Sequence, residues 1–78
     1  MPETKYASSL LKELGSNIRR KRTSKGITQQ ELAELADLNI RNIQRIEAGQ
    51  IDIIFSTFAR IKKSLDCSWE DLIPRDWH

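Results

Sequence analysis

The sequence predicts an all-α domain of five helices, and three observations carry that expectation. Apolar residues recur at three- and four-residue spacing within separate short segments. Capping signatures and glycines stand where those segments begin and end. No strand, repeat or long linker is read between those segments, so no sheet is expected.

Each helix has its own start and stop. Leu10, Leu11, Leu14 and Ile18 line one side of a first helix running towards Lys25, with Gly26 as its stop. Thr28-Gln29-Gln30-Glu31 matches the reciprocal capping box, in which the Thr28 hydroxyl and the Glu31 carboxylate each accept a bond from an otherwise orphaned backbone N–H. A second helix starts there, with Leu32, Leu35 and Ala36 as its expected buried stripe. Asp37, a residue that tolerates turn and left-handed geometry, ends it after about two turns. Asn39 is a good N-cap for a third helix, Ile40 to Ala48, which stops at Gly49 where a left-handed C-cap glycine is expected. A fourth helix reads from Phe55 through Phe58, Ile61 and Leu65. Ser68-Trp69-Glu70-Asp71 then caps a brief fifth one, which must end before Pro74. The expected organisation is an N-terminal arm over residues 1–9, one domain over 10–73 and a short tail over 74–78.

Length and composition exclude several function classes. Seventy-eight residues, 38% of them hydrophobic, suffice for one small core and leave no room for separate cofactor and substrate modules. An enzyme is therefore not expected. No apolar run approaches the ~20 residues that span a bilayer, and the Met-Pro-Glu-Thr-Lys start lacks the apolar stretch of a secretory signal, so a cytoplasmic location and no membrane partner are expected. Cys67 is the one cysteine and His78 the one histidine, which rules out an internal disulfide and argues against a zinc site. No metal and no cofactor are expected. Cys67 itself reads as a buried structural thiol, and His78 as a chain-terminal residue with no nucleophile beside it.

Charge is uneven along the chain. Residues 1–25 carry seven basic groups against two acids, whereas the remainder has six against nine. Such a basic block is either a solvated helix face or a footprint for phosphates, and only its neighbours separate the two. Those neighbours are two short helices joined by a turn of about three residues, the outline of a helix-turn-helix whose second helix can lie in a DNA major groove. At ~100° per residue, Ile43, Ile46 and Glu47 share the inward side of the third helix, while Arg41, Asn42, Gln44 and Arg45 share the outward side. An outward face made only of Arg, Asn and Gln carries the donors that pair with guanine O6/N7 and adenine N6/N7 edges. Arg19, Arg20 and Lys21 are then candidates for phosphate contacts.

Over roughly residues 10–72 the sequence resembles the Xre family, the phage-repressor and Cro type of helix-turn-helix. The residues that carry the resemblance are Ile18-Arg19-Arg20-Lys21-Arg22, the box from Gly26 to Ala33 that matches Gly-x-Thr/Ser-Gln-x-Glu-Leu-Ala, the Ile-x-x-Ile-Glu-x-Gly ending from Ile43 to Gly49, and the segment from Leu65 to Leu72. The resemblance implies a repressor-type domain that binds double-stranded operator DNA as a two-fold homodimer. It implies phosphate contacts at Thr28 and Gln29, and base readout by Asn39, Ile40, Arg41, Asn42, Gln44 and Arg45. It also implies a buried salt bridge between Arg22 and Glu47. In size the chain is similar to restriction-modification controller proteins and small phage repressors.

Departures from the family pattern matter too. Asp37 stands where glycine is usual, and the loop after Gly49 reads Gln50-Ile51-Asp52-Ile53 where relatives often carry Lys or Arg and then proline. Phosphate grip from that loop should be weak, leaving more of the attachment to the first helix. Ile40, where a polar reader is common, either meets a thymine methyl or rests on the core rim. Glu31 and Glu34 are either plain solvation or a patch for RNA polymerase. Trp69, Leu72, Ile73 and Trp77 crowd the final ten residues and suggest a dimer interface; alternatively Trp69 and Leu72 cap the monomer core and only Trp77 is loose. The function these features imply is sequence-specific transcriptional regulation on an inverted-repeat operator. The alternative is an antitoxin-type interaction module that also binds its own promoter.

Overall fold

The computed structural model describes residues 5–75. Its elements follow in the order α1 Lys5–Ser24, α2 Gln29–Ala36, α3 Ile40–Glu47, α4 Phe55–Leu65 and α5 Trp69–Leu72. α1 packs against α3 and α5, and α2 packs against α3 and α4. Ile18, Leu32, Ile43, Ile61, Leu65 and Leu72 are fully buried between them, so every helix sends at least one apolar side chain into a single core. Among the described residues no helix is long and apolar enough to cross a membrane.

Three expectations need correction. Residues 5–9 are not an arm but the start of α1. Nothing between Lys5 and Ser9 breaks a helix, and Ala7 extends the three- and four-residue spacing to Leu10 and Leu11. On α2 the buried set is Leu32, Ala33 and Ala36, while Leu35 is 61% exposed. α2 is pressed by α3 and α4 together, which turns the Ala33 edge of the helix inward and leaves the Leu35 edge in solvent. Leu72, expected at a dimer surface, is wholly buried: it is the apolar residue of α5 that enters the core, and its carbonyl accepts a bond from Asn17 Nδ2 at 3.0 Å.

The C-terminal part is docked on α1 through polar groups. Asn17 holds the Leu72 carbonyl, the Arg75 backbone N–H donates to Glu13 Oε2 at 2.9 Å, and Lys21 Nζ lies 3.5 Å from Asp71 Oδ2. Ile73 and Trp69 are half-buried. The Trp69 ring stacks on Phe55 at 5.5 Å, meets Phe58 edge-on at 5.1 Å and lies under Lys62 Nζ at 5.2 Å. Trp77 and His78 lie outside the described residues. Cys67 is half-buried rather than fully so; burial, then the charge of Asp71, pushes its thiol pKa up.

Candidate nucleic-acid interface

The turn between α2 and α3 is built from local rules. The Glu31 N–H donates to Thr28 Oγ1 at 3.0 Å and the Thr28 N–H donates to Glu31 Oε1 at 2.9 Å, so the capping box forms as expected. Those bonds, the backbone one first, hold the Glu31 carboxyl below the usual carboxylate range. Asp37 takes the left-handed conformation at φ 56°, and Leu38 N–H returns to the Ala33 carbonyl at 2.8 Å. The chain thereby passes from α2 to α3 in three residues. Asn39 then caps α3, its Oδ1 accepting from the Arg41 N–H at 2.8 Å.

α3 is divided along its length. Ile43, Ile46 and Glu47 are buried, whereas Arg41, Asn42, Gln44 and Arg45 are exposed. Arg41, Gln44 and Arg45 line a shallow open groove together with Ala48 and Gln50. The last two were not picked out from the sequence. Gly49, at φ 70°, lets the Gln50 N–H fold back to the Arg45 carbonyl at 3.0 Å, and the glycine stop was the signal available for this. Ile40 is half-buried and packs against the core, leaving part of its surface open to solvent.

Behind the exposed face sits a knot of hydrogen bonds. Arg22 on α1 donates from Nε to Glu47 Oε2 at 2.6 Å and from Nη2 to Glu47 Oε1 at 3.0 Å. Its third arm, Nη1, holds the Ile27 carbonyl at 2.8 Å. Gln29, the first residue of α2, adds a bond from Nε2 to the same Glu47 Oε1 at 3.0 Å. Among the described residues no buried side-chain polar atom lacks a partner. A bidentate, fully satisfied pair of this kind fixes orientation as well as distance.

The basic block on α1 is split by the packing. Lys12, Gly15, Arg19 and Arg22 recur at three- and four-residue spacing and face the α3 side. A Cβ on Gly15 would drive into the Ile46 and Glu47 carbonyls, and a Cβ on Gly49 would lie 2.7 Å from the Lys12 Cα. Glu13, Asn17 and Lys21 recur every four residues and face α5. By that spacing Arg19 lies on the α3 side of α1 and is exposed, Lys21 turns towards Asp71 instead, and Arg20 is exposed. Lys12, seven residues before Arg19, is a further exposed cation on that side, one not singled out from the sequence. Thr28 is exposed, its hydroxyl still able to donate, and Gln29 is half-buried. On the acidic face of α2, Glu31 is engaged in the cap and Glu34 accepts from Gln30 Nε2 at 3.2 Å.

A helix-turn-helix family matches residues 18–72, which include the last third of α1 and all of α2 to α5. The chain belongs to the Xre-type helix-turn-helix family. As a member it is a DNA-binding transcription regulator. The fold is similar to that of the restriction-modification controller protein C.AhdI from Aeromonas hydrophila, with a TM-score of 0.78 and 28% identity over 81% of this chain and 96% of that one. It is equally similar to the clp gene regulator ClgR from C. glutamicum, at TM-score 0.78 and 28% identity over 81% of both chains. The controller protein C.Esp1396I matches at TM-score 0.74 and 30% identity, over 78% of this regulator and 79% of that chain. No curated protein matches by sequence.

Proposed function

We propose that this regulator reads an inverted-repeat operator as a two-fold homodimer, with α3 in the major groove of each half-site. The observation that carries the reading is the division of α3: its inner face is locked by Ile43, Ile46 and the Arg22–Glu47 pair, and its outer face presents only Arg, Asn and Gln. Arg41 and Arg45 suit guanine edges, and Asn42 and Gln44 suit adenine. Arg19 and Lys12 beside α3, with Thr28 and Gln29 at the start of α2, hold phosphates on either side. Arg41→Ala should cost about 1–3 kcal/mol on the operator and little on random duplex DNA. Equal loss on both DNAs would remove Arg41 from the base readers. Footprinting on the DNA upstream of its own gene supplies the operator.

The dimer surface we assign is not centred on Leu72. Ile54 and Phe55 are 70% and 72% exposed, side by side at the start of α4, and Phe55 continues into half-buried Trp69. Ile54 is moreover an N-cap without a side-chain capping bond, a position where isoleucine does nothing for the helix. Two-fold pairing of this patch would set the half-sites ~10 base pairs or a multiple apart. Sedimentation equilibrium should give twice the 9.1 kDa chain mass, falling to the monomer on Phe55→Asp. The same patch also suits the antitoxin reading. A chain that stays at 9.1 kDa, and dimerises neither alone nor on DNA, favours a different protein as its occupant.

A further inference from the structure

The knot behind α3 contains one bond beyond those of Arg22, from Gln29 to Glu47. Glu47 already has both oxygens engaged by Arg22, so the buried carboxylate is satisfied without Gln29. Gln29 nevertheless reaches across to it from another helix, at the cost of its side-chain freedom. Its neighbour Gln30, by contrast, pairs within its own helix, with Glu34. A carboxylate only accepts, so the Gln29 carboxamide must present an N–H to Glu47, which leaves its second N–H diverging from the knot. That second N–H belongs to a half-buried residue at the first position of α2, where backbone N–H groups also lack intrahelical partners.

We propose that Glu47 is a positioning residue for the DNA backbone: pinned by Arg22, its carboxylate orients the Gln29 carboxamide so that the free N–H meets a phosphate. One carboxylate then sets the offset between the phosphate contact on α2 and the base-reading face of α3, because Glu47 ends α3 and Gln29 begins α2. Arg22 Nη1 on the Ile27 carbonyl fixes the connector between them. The inference rests on the reading of α3 as the recognition helix.

The side-chain amide resonances of the glutamines test it. In the free protein, the Gln29 amide protons should exchange more slowly and resonate apart from those of exposed Gln44 and Gln50. On titration with operator duplex one of the two should shift while the one held on Glu47 stays. In a binding cycle, Gln29→Ala should weaken operator and random DNA by the same factor, about tenfold or more. Glu47→Gln should weaken both to a similar degree in the wild-type background and add nothing once Gln29 is alanine. Independent, multiplying losses, or Gln29 resonances that behave like those of Gln44, overturn the proposal. Should Glu47→Gln not fold, the wild-type titration decides: both amide protons shifting, or neither, overturns it. Arg41→Ala separates the two levels. If that change leaves operator preference intact, the recognition-helix reading has failed; if it abolishes preference while Gln29 behaves as an ordinary exposed glutamine, only the positioning role has failed.

Discussion

α1 presents two flanks to the rest of the domain, and they are joined in different ways. Towards α3 the contact is close and buried: Gly15 admits the carbonyls at the end of α3, and Arg22 holds Glu47 with two bonds. Towards α5 the contact combines one buried group, Asn17, with two groups at the surface, Glu13 on the Arg75 N–H and Lys21 beside Asp71. The first joint fixes the helix proposed to read DNA, through a close approach and a buried pair. The second closes the domain and tolerates change, because exposed pairs contribute little and water replaces them.

The largest expected effect lies in the first joint. Glu47→Ala leaves the Arg22 guanidinium buried without its carboxylate, and should lower unfolding free energy by about 3–5 kcal/mol in a urea melt. A melt unchanged from the parent would mean that the pair contributes nothing and that the two joints are alike. Gly15→Ala comes next, at about 1–3 kcal/mol, since a methyl directed at backbone carbonyls has no rotamer by which to escape. If it stabilises the protein instead, as alanine normally does inside a helix, the close approach is not real.

The flanks should also differ towards DNA. Arg19→Ala and Lys12→Ala are each expected to lower the slope of log affinity against log salt by about one unit. Lys21→Ala should change that slope less, and stability by no more than about 1 kcal/mol. An equal slope change for Lys21 and Arg19 would put the phosphates along the outer side of α1, not along its α3 flank.

The smallest effect is the pH dependence. Asp71 is held below the usual carboxylate range by the Ser68 backbone N–H first, then by the Ser68 hydroxyl and Lys21; Glu31 is held there by Thr28. A carboxyl with a depressed folded pKa stabilises the fold above its unfolded pKa and loses that contribution as pH falls through the folded value. Stability should therefore fall below roughly pH 4. Asp71→Asn and Glu31→Gln should each flatten part of that fall, which chemical melts at several acidic pH values would register.

Sequence reasoning reached most of α2 and α3 because their signals are local. A capping box, an Asx cap and a left-handed stop act within four residues of themselves. The division of α3 was equally legible, since opposite faces of one helix follow from its period alone. The same period could not rank Arg19 against Lys21, because both leave α1 in exposed sectors and only the partner helices distinguish them. Leu72 was misjudged for a related reason: a cluster of large residues near a chain end reads as surplus surface until the helix that covers it is known. Leu35 failed in the opposite sense. Its spacing matched a buried stripe, but α3 and α4 press on the other edge of α2.

The sequence by itself determined the five helices, the turn at Asp37 and the Arg, Asn and Gln face of α3, because each depends on hydrogen bonds and periodicity within a few residues. Only the tertiary structure decided that Lys21 turns towards Asp71, that Gln29 shares a carboxylate with Arg22, and that Ile54 and Phe55 are exposed while Leu72 is buried. These depend on where separate helices cross. Crossing is set by the fit of side chains distant in the chain, such as a missing Cβ at Gly15 beneath the end of α3.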